Sequence, residues 1–173
     1  LTAAQEHGVV HGDVRPERII LCPSRDDEGK SIEQAKLWGF GLRNEPFGAD
    51  GKYTSPERIR GTPPDASTDI FSCGVILYEM ATGKHPFGGG QPTGSPPRPP
   101  TAVNAWLDPA LEDVIMTAMQ REPSARFDSP RSLRSALRAL QSPRAPLQAQ
   151  SLPPEPPRAA PPEPAARAPV VER

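Results

Sequence analysis

The sequence has few of the residues on which disulfide scaffolds, metal centres and nucleic-acid surfaces depend. Only two cysteines, Cys22 and Cys73, occur in 173 residues, and they lie far apart in the chain. This pattern argues against a disulfide framework and a zinc site, and it predicts reduced thiols in a cytoplasmic protein. The formal net charge is −1, so the composition does not favour a nucleic-acid partner. No apolar run approaches the length that spans a bilayer, so we expect no membrane segment.

Proline, by contrast, is abundant, with 25 residues in the chain. The prolines are concentrated in residues 143–173, where large apolar side chains are almost absent. Such a segment buries too little surface to offset its ordering entropy, so we expect a disordered tail or linker there. Residues 1–142 are then enough for one compact core. The chain begins with leucine, which is expected of a region taken from a longer protein.

The apolar pattern of residues 1–142 predicts a mainly helical α+β domain. Residues 68–80 are apolar around most of a helical circumference, which indicates a buried central helix that ends at Gly83. Two further helices have start signals at Asp108–Pro109 and at Ser129–Pro130. Short strands are predicted at residues 9–10, 19–21 and 35–38, with a charged surface loop between the second and the third.

One charged loop interrupts the apolar runs near the start, "VVHGDVRPERII", residues 9–20. It resembles the catalytic loop of protein kinases, H-R-D-L-x-x-x-N, and small-molecule phosphotransferases carry a similar H-G-D loop. The later motifs "LWGFGL", "YTSPE", "DIFSCG" and "PSARF" follow in the order found in protein kinases. Over about residues 1–140 the chain therefore resembles the C-terminal lobe of a serine/threonine-type kinase domain, with short β-hairpins near its start. The N-terminal lobe is absent and is expected from the parent protein.

The resemblance implies roles for several residues of the reaction site. Asp13 matches the catalytic base that accepts the proton of the substrate hydroxyl. Arg15 replaces the usual lysine near the transferred phosphate, exchanging a compact charge for a planar fork. Ile20 matches the floor of the adenine pocket, and Trp38 is expected to line that pocket and to fill part of it.

Five other residues have structural roles by the same resemblance. His11 and Phe40 are expected to stack in the apolar spine that joins the two lobes. Asp69 is expected to hold the backbone of the catalytic loop from beneath. Glu57 and Arg126 are expected to form a buried, bidentate ion pair.

Two departures from the family pattern concern the metal. Arg18 stands where the family has its metal-binding asparagine, and Gly39 stands where it has the aspartate of D-F-G. Magnesium requires oxygen ligands in near-octahedral geometry, and neither residue supplies one. We therefore expect no Mg²⁺ bound by protein side chains and at most weak ATP binding.

Other departures point in the same direction. Gly12 replaces the arginine of H-R-D, and residues 42–52 contain no serine, threonine or tyrosine that could be phosphorylated. The sequence thus predicts a pseudokinase that acts through protein partners. The alternative is an active serine/threonine kinase that holds its metal in another way.

Overall fold

The computed structural model describes residues 1–25, 29–40, 51–92 and 94–141. The predicted tail, residues 143–173, and most of the loop at 42–52 lie outside these ranges. The described part contains five α-helices and one pair of strands, which agrees with the predicted α+β class. The elements are α1 (Thr2–Glu6), β1 (Ile19–Arg25), β2 (Ser31–Leu37), α2 (Pro56–Ile59), α3 (Ala66–Thr82), α4 (Pro109–Ala118) and α5 (Pro130–Gln141). Within those ranges, none of the helices is long and apolar enough to cross a bilayer.

Strands β1 and β2 form one antiparallel hairpin, in which Ile19 lies opposite Leu37 and Arg25 lies opposite Ser31. The prediction of a charged loop between two short strands was wrong, because most of that segment continues the two strands. The side chains of β2 are exposed almost throughout, so no apolar alternation marks the strand in the sequence. Residues 9–10, also predicted as a strand, have no strand structure.

Helix α3 begins two residues earlier than the apolar pattern predicts. Asp65 caps it by accepting a hydrogen bond from the backbone N–H of Thr68, whose hydroxyl accepts one from the N–H of Asp65 in return. This reciprocal pair satisfies two N–H groups that a helix start otherwise leaves free. The helix ends at Gly83, as predicted, in the left-handed conformation with φ of +68°.

Helices α3, α4 and α5 pack together around two groups of buried side chains. One group is Phe71, Val75, Tyr78, Ile115 and Met119, and the other is Ile70, Val114, Ala118 and Leu133. Cys73 packs against the second group, and burial raises the pKa of its thiol to about 12.

The predicted starts of α4 and α5 are confirmed, and Asp108 caps α4 through the N–H of Ala110 at 2.8 Å. The short helix α2 has no counterpart among the predicted helices.

Gly74 of α3 is packed closely against the end of α4. A Cβ atom at this position would lie 2.7 Å from Cγ of Met119 and 3.0 Å from Cβ of Ala118. Alanine gains about 1 kcal/mol in helix propensity, but crowding a packed core costs about 1–3 kcal/mol, and an approach of 2.7 Å places the cost in the upper half of that range. We expect Gly74→Ala to lower the free energy of unfolding by about 1–2 kcal/mol in chemical denaturation. Gly94→Ala, at a position with no atom within 4 Å, is the matched control and is expected to stay within about 0.5 kcal/mol of the parent.

Candidate functional site

The loop of residues 11–18 is fixed to the start of α3 by one carboxylate. Asp69 accepts hydrogen bonds from the backbone N–H of His11 at 2.9 Å and from that of Gly12 at 2.8 Å. The side chain is buried, and burial raises the pKa of Asp69 above its ordinary 3.8, while the two N–H groups oppose the shift. Gly12 has φ of +76°, and a Cβ there would lie 3.2 Å from Pro64. The loop therefore enters the site through a turn that favours glycine.

His11 connects this loop to the end of the hairpin. Its Nδ1 lies 3.2 Å from the backbone N–H of Asp13, and its Nε2 lies 2.9 Å from the carbonyl of Trp38. Since a backbone N–H can only donate, Nδ1 accepts and Nε2 carries the proton that it donates to Trp38. The ring meets Phe40 with centroids 4.7 Å apart and planes at 73°. The contact is thus edge-to-face, where the sequence predicted stacking.

Asp13, the residue in the position of the catalytic base, forms ion pairs with both arginines of its loop. Its Oδ2 lies 2.7 Å from Nη2 of Arg18 and 3.5 Å from Nε of Arg15. The carboxylate is about one-third exposed, whereas the side chain of Arg18 is almost completely buried. One carboxylate is therefore shared by two guanidinium groups, and the three side chains carry a net charge of about +1.

Arg18 is held at the base of the hairpin. It is the last residue of a 3₁₀ turn, Pro16–Arg18, and its carbonyl accepts from the backbone N–H of Trp38 at 3.0 Å. The guanidinium carbon lies 5.5 Å from the centroid of the Trp38 ring, within the range of a cation–π contact. The indole N–H donates to the carbonyl of Glu17 at 3.2 Å. Trp38 therefore packs on Arg18, although the sequence assigned it only to the nucleotide pocket.

The residues present do not fit a magnesium ion. Gly39 contributes no oxygen from a side chain. The position that matches the family's metal-binding asparagine is occupied by the positively charged side chain of Arg18. The carboxylate of Asp13 is already paired. Across the described ranges, no group of three or more histidine, cysteine or acidic side chains comes together as metal ligands do.

Apolar side chains are exposed on both faces of the hairpin and beside it. Ile20, predicted to be the floor of the adenine pocket, lies on β1 and is half exposed. Val9, Leu21 and Trp38 are also substantially exposed. The hairpin thus presents apolar side chains to solvent beside the loop that carries Asp13.

Glu57 and Arg126 lie far from the loop and form a second, buried ion pair. Nη1 and Nη2 of Arg126 donate to the two carboxylate oxygens of Glu57, each at 2.7 Å. The same guanidinium also donates to the carbonyls of Gln120, Ser67 and Arg121. Burial raises the pKa of Glu57, but the hydrogen bonds from Arg126 and Ser55, the residue's own backbone N–H and the charge of Arg126 together outweigh it, so the pKa lies below its ordinary 4.5. The pair joins α2 to the segment between α4 and α5.

The pairing of Arg18 with Asp13 was missed by sequence reasoning. The two opposite charges lie five residues apart, and the turn that reverses the chain between them starts with proline. This spacing is only a weak signal for an ion pair. The sequence marked Arg18 and Gly39 as departures from the family pattern, but only the structure brings Arg18, Asp13 and Gly39 into one cluster.

A model of the protein kinase domain family matches residues 1–99 of the chain. Among curated proteins, a probable serine/threonine-protein kinase of Clostridium perfringens, CPE1738, is 31% identical over 151 residues. The alignment covers 77% of this chain and 21% of that protein. The serine/threonine-protein kinase PknB of Mycolicibacterium smegmatis is 29% identical over 157 residues, covering 84% of this chain and 25% of the relative. The chain thus spans about a quarter of the length of these curated relatives.

Among solved structures, the PknI kinase domain of Mycobacterium tuberculosis superposes with a TM-score of 0.62. The sequences are 22% identical, and the match covers 80% of this chain and 49% of that one. At this identity the likeness establishes a shared fold and leaves the chemistry to the residues of the site.

Proposed function

The chain belongs to the protein kinase family, and from that premise we propose that it is the C-terminal lobe of a pseudokinase of the serine/threonine type. In this proposal, residues 1–142 form the lobe and residues 143–173 form a proline-rich tail or linker. The protein acts in the cytoplasm as a regulatory or interaction module through protein partners. The parent protein supplies the N-terminal lobe.

One observation carries the proposal: both positions that hold metal in the family lack a ligand oxygen, and one of them holds a buried arginine. Phosphoryl transfer depends on metal ions that neutralise the charge developing on the phosphate. The Arg18 guanidinium pairs with Asp13 at 2.7 Å, so the residue expected to act as base is engaged by a fixed cation. Asp13 and Arg15 keep the positions of catalytic residues in a site that lacks its metal.

Nucleotide binding is then expected to be weak and independent of magnesium. Ile20 and Trp38 offer apolar surface to a base, and Arg15 offers a positive charge to a phosphate. No described side chain at the site couples a metal ion to that phosphate. Affinity would therefore rest on stacking and on a partly screened charge.

The second candidate is an active serine/threonine kinase, and one structural observation favours it. The loop scaffold is complete, since Asp69 holds the loop backbone and His11 fixes the N–H of Asp13. The relatives whose names describe them as serine/threonine kinases point in the same direction. An active enzyme would need Arg18 to leave Asp13 before a metal could enter.

A transfer assay on the full-length protein separates the two candidates. With radiolabelled ATP and Mg²⁺, we expect no transfer to the protein itself or to a generic protein substrate. A thermal-shift titration with ATP is expected to give the same small shift in Tm with Mg²⁺ and with EDTA. The reason is that neither of the two metal positions offers a side-chain oxygen that could bind the ion. Asp13→Ala is the control for transfer, since any contaminating kinase would survive it. Robust transfer that disappears in Asp13→Ala would establish the active kinase and end the pseudokinase proposal.

A further inference from the structure

Arg18 is a charged side chain in a place where charge is costly. The residue is 5% exposed, and a guanidinium is rarely buried to that degree without full pairing. Its one ionic partner is Asp13, reached through Nη2, and its Nε and Nη1 have no hydrogen-bond acceptor in the described structure. The group is thus held by one carboxylate and by the Trp38 ring.

Gly39 leaves the space that the guanidinium of Arg18 occupies. Its φ of +90° and the approach of Arg18 both exclude a side chain, because a Cβ would lie 2.1 Å from Nη1 and 3.2 Å from Cζ of Arg18. Gly39, which stands where the family has one metal ligand, therefore leaves a space. Arg18, which stands where the family has the other ligand, fills that space. The two departures, which look independent in the sequence, are in contact in the structure.

We infer that Arg18 is a tethered cation that has taken the place of the metal, with Gly39 as the gap that admits it. Arg18 is a positioning residue in this arrangement: it orients Asp13 from within the chain and keeps divalent cations out. Restoring either metal ligand alone leaves the site closed to metal, and both changes are needed to open it. The inference rests on the proposed function, since it explains how the site came to dispense with its metal.

A thermal double-mutant cycle in the full-length protein tests the contact between the two positions. Gly39→Ala is expected to lower Tm by about 4–8 °C in the parent, through backbone strain and the collision with Arg18. In an Arg18→Ala background the collision is absent, and the same change is expected to cost only about 2–4 °C. Should Arg18→Ala fail to fold, Arg18→Gln takes its place, since it keeps the side chain as far as Cδ and removes the guanidinium. Equal losses of Tm in both backgrounds would show that the cost of Gly39→Ala does not come from contact with Arg18.

Binding of Mn²⁺, followed by its electron paramagnetic resonance signal, tests the exclusion of metal. We expect no specific binding by the parent, by Arg18→Asn or by Gly39→Asp, and measurable binding only by the double variant Arg18→Asn/Gly39→Asp. Adding Asp13→Asn to the double variant should weaken binding at least tenfold if the ion lies beside that carboxylate. Tight binding by Gly39→Asp alone, or none by the double variant, would overturn the inference.

These results are separate from the fate of the proposed function. Magnesium-dependent transfer by the unmodified protein would refute the pseudokinase proposal whatever the cycle shows. Absence of transfer together with equal Tm losses would preserve the pseudokinase proposal and discard the tethered cation.

Discussion

Replacing Arg126 with alanine is expected to lower the free energy of unfolding by about 3–5 kcal/mol, because it leaves the buried carboxylate of Glu57 without its counter-charge. The same change strands the carbonyls of Gln120, Ser67 and Arg121, which lose their donors. It also removes the guanidinium from its position 4.9 Å from the centroid of the Phe71 ring. Chemical denaturation of the purified variant measures the loss.

The surface ion pair between Arg131 and Glu6 supplies the matched control. Their side chains are 71% and 54% exposed, so water already solvates both charges. Arg131→Ala is expected to cost less than about 1 kcal/mol. If the denaturation curve of Arg126→Ala overlaid that of Arg131→Ala, the buried pair would have no special role in stability.

The cost of losing Arg126 is also expected to depend on pH. The pKa of Glu57 is lowered in the folded protein, so this residue stabilises the fold above its unfolded pKa of about 4.5. That contribution is lost as the pH falls through the lower, folded value. The difference in stability between parent and Arg126→Ala should therefore be largest near neutrality and should shrink below about pH 4.5. A difference that stayed constant down to pH 3 would contradict the ionic origin of the effect.

Asp69→Ala is the second change for which we expect a large effect. It removes the acceptor of two backbone N–H groups in the loop that carries Asp13, and stranding them costs about 2–4 kcal/mol. Amide hydrogen exchange should show the loss locally, with the N–H groups of His11 and Gly12 exchanging faster while the far end of α3 stays protected.

The control for Asp69 lies one turn earlier on the same helix. Asp65→Ala removes the cap of α3 and is expected to cost about 1 kcal/mol, without changing exchange at His11 or Gly12. If both variants accelerated exchange at those two positions equally, Asp69 would act through the stability of α3 and not through the loop.

The helices were largely predictable because their boundaries are set by local chemistry. Asp108 and Pro109 begin α4 and Gly83 ends α3 through interactions within a few residues, which a single sequence reveals. The hairpin was only partly predictable, since the register of β1 and β2 comes from backbone pairing across the loop that joins them. Charged and small side chains on β2 gave no sign of that pairing.

The site shows the same division between local and distant information. Residue types marked Asp13, Arg18 and Gly39 as positions of interest, and the loss of ligand oxygens followed directly. The approach of Nη1 to Gly39 and the pairing of Nη2 with Asp13 depend on the conformation of the Arg18 side chain. No spacing rule encodes that conformation, because the guanidinium also contacts the ring of Trp38, which is distant in the sequence.

The pKa of the Cys73 thiol has a practical consequence for spectroscopy. Because burial raises this pKa, the reactive thiolate form of Cys73 is scarce at pH 7. The other cysteine, Cys22, lies partly exposed on β1, opposite Gln34. A maleimide dye is therefore expected to label Cys22 alone, without any engineered cysteine. Selective labelling would give the native chain one attachment point for a fluorophore, on the same hairpin as Ile20.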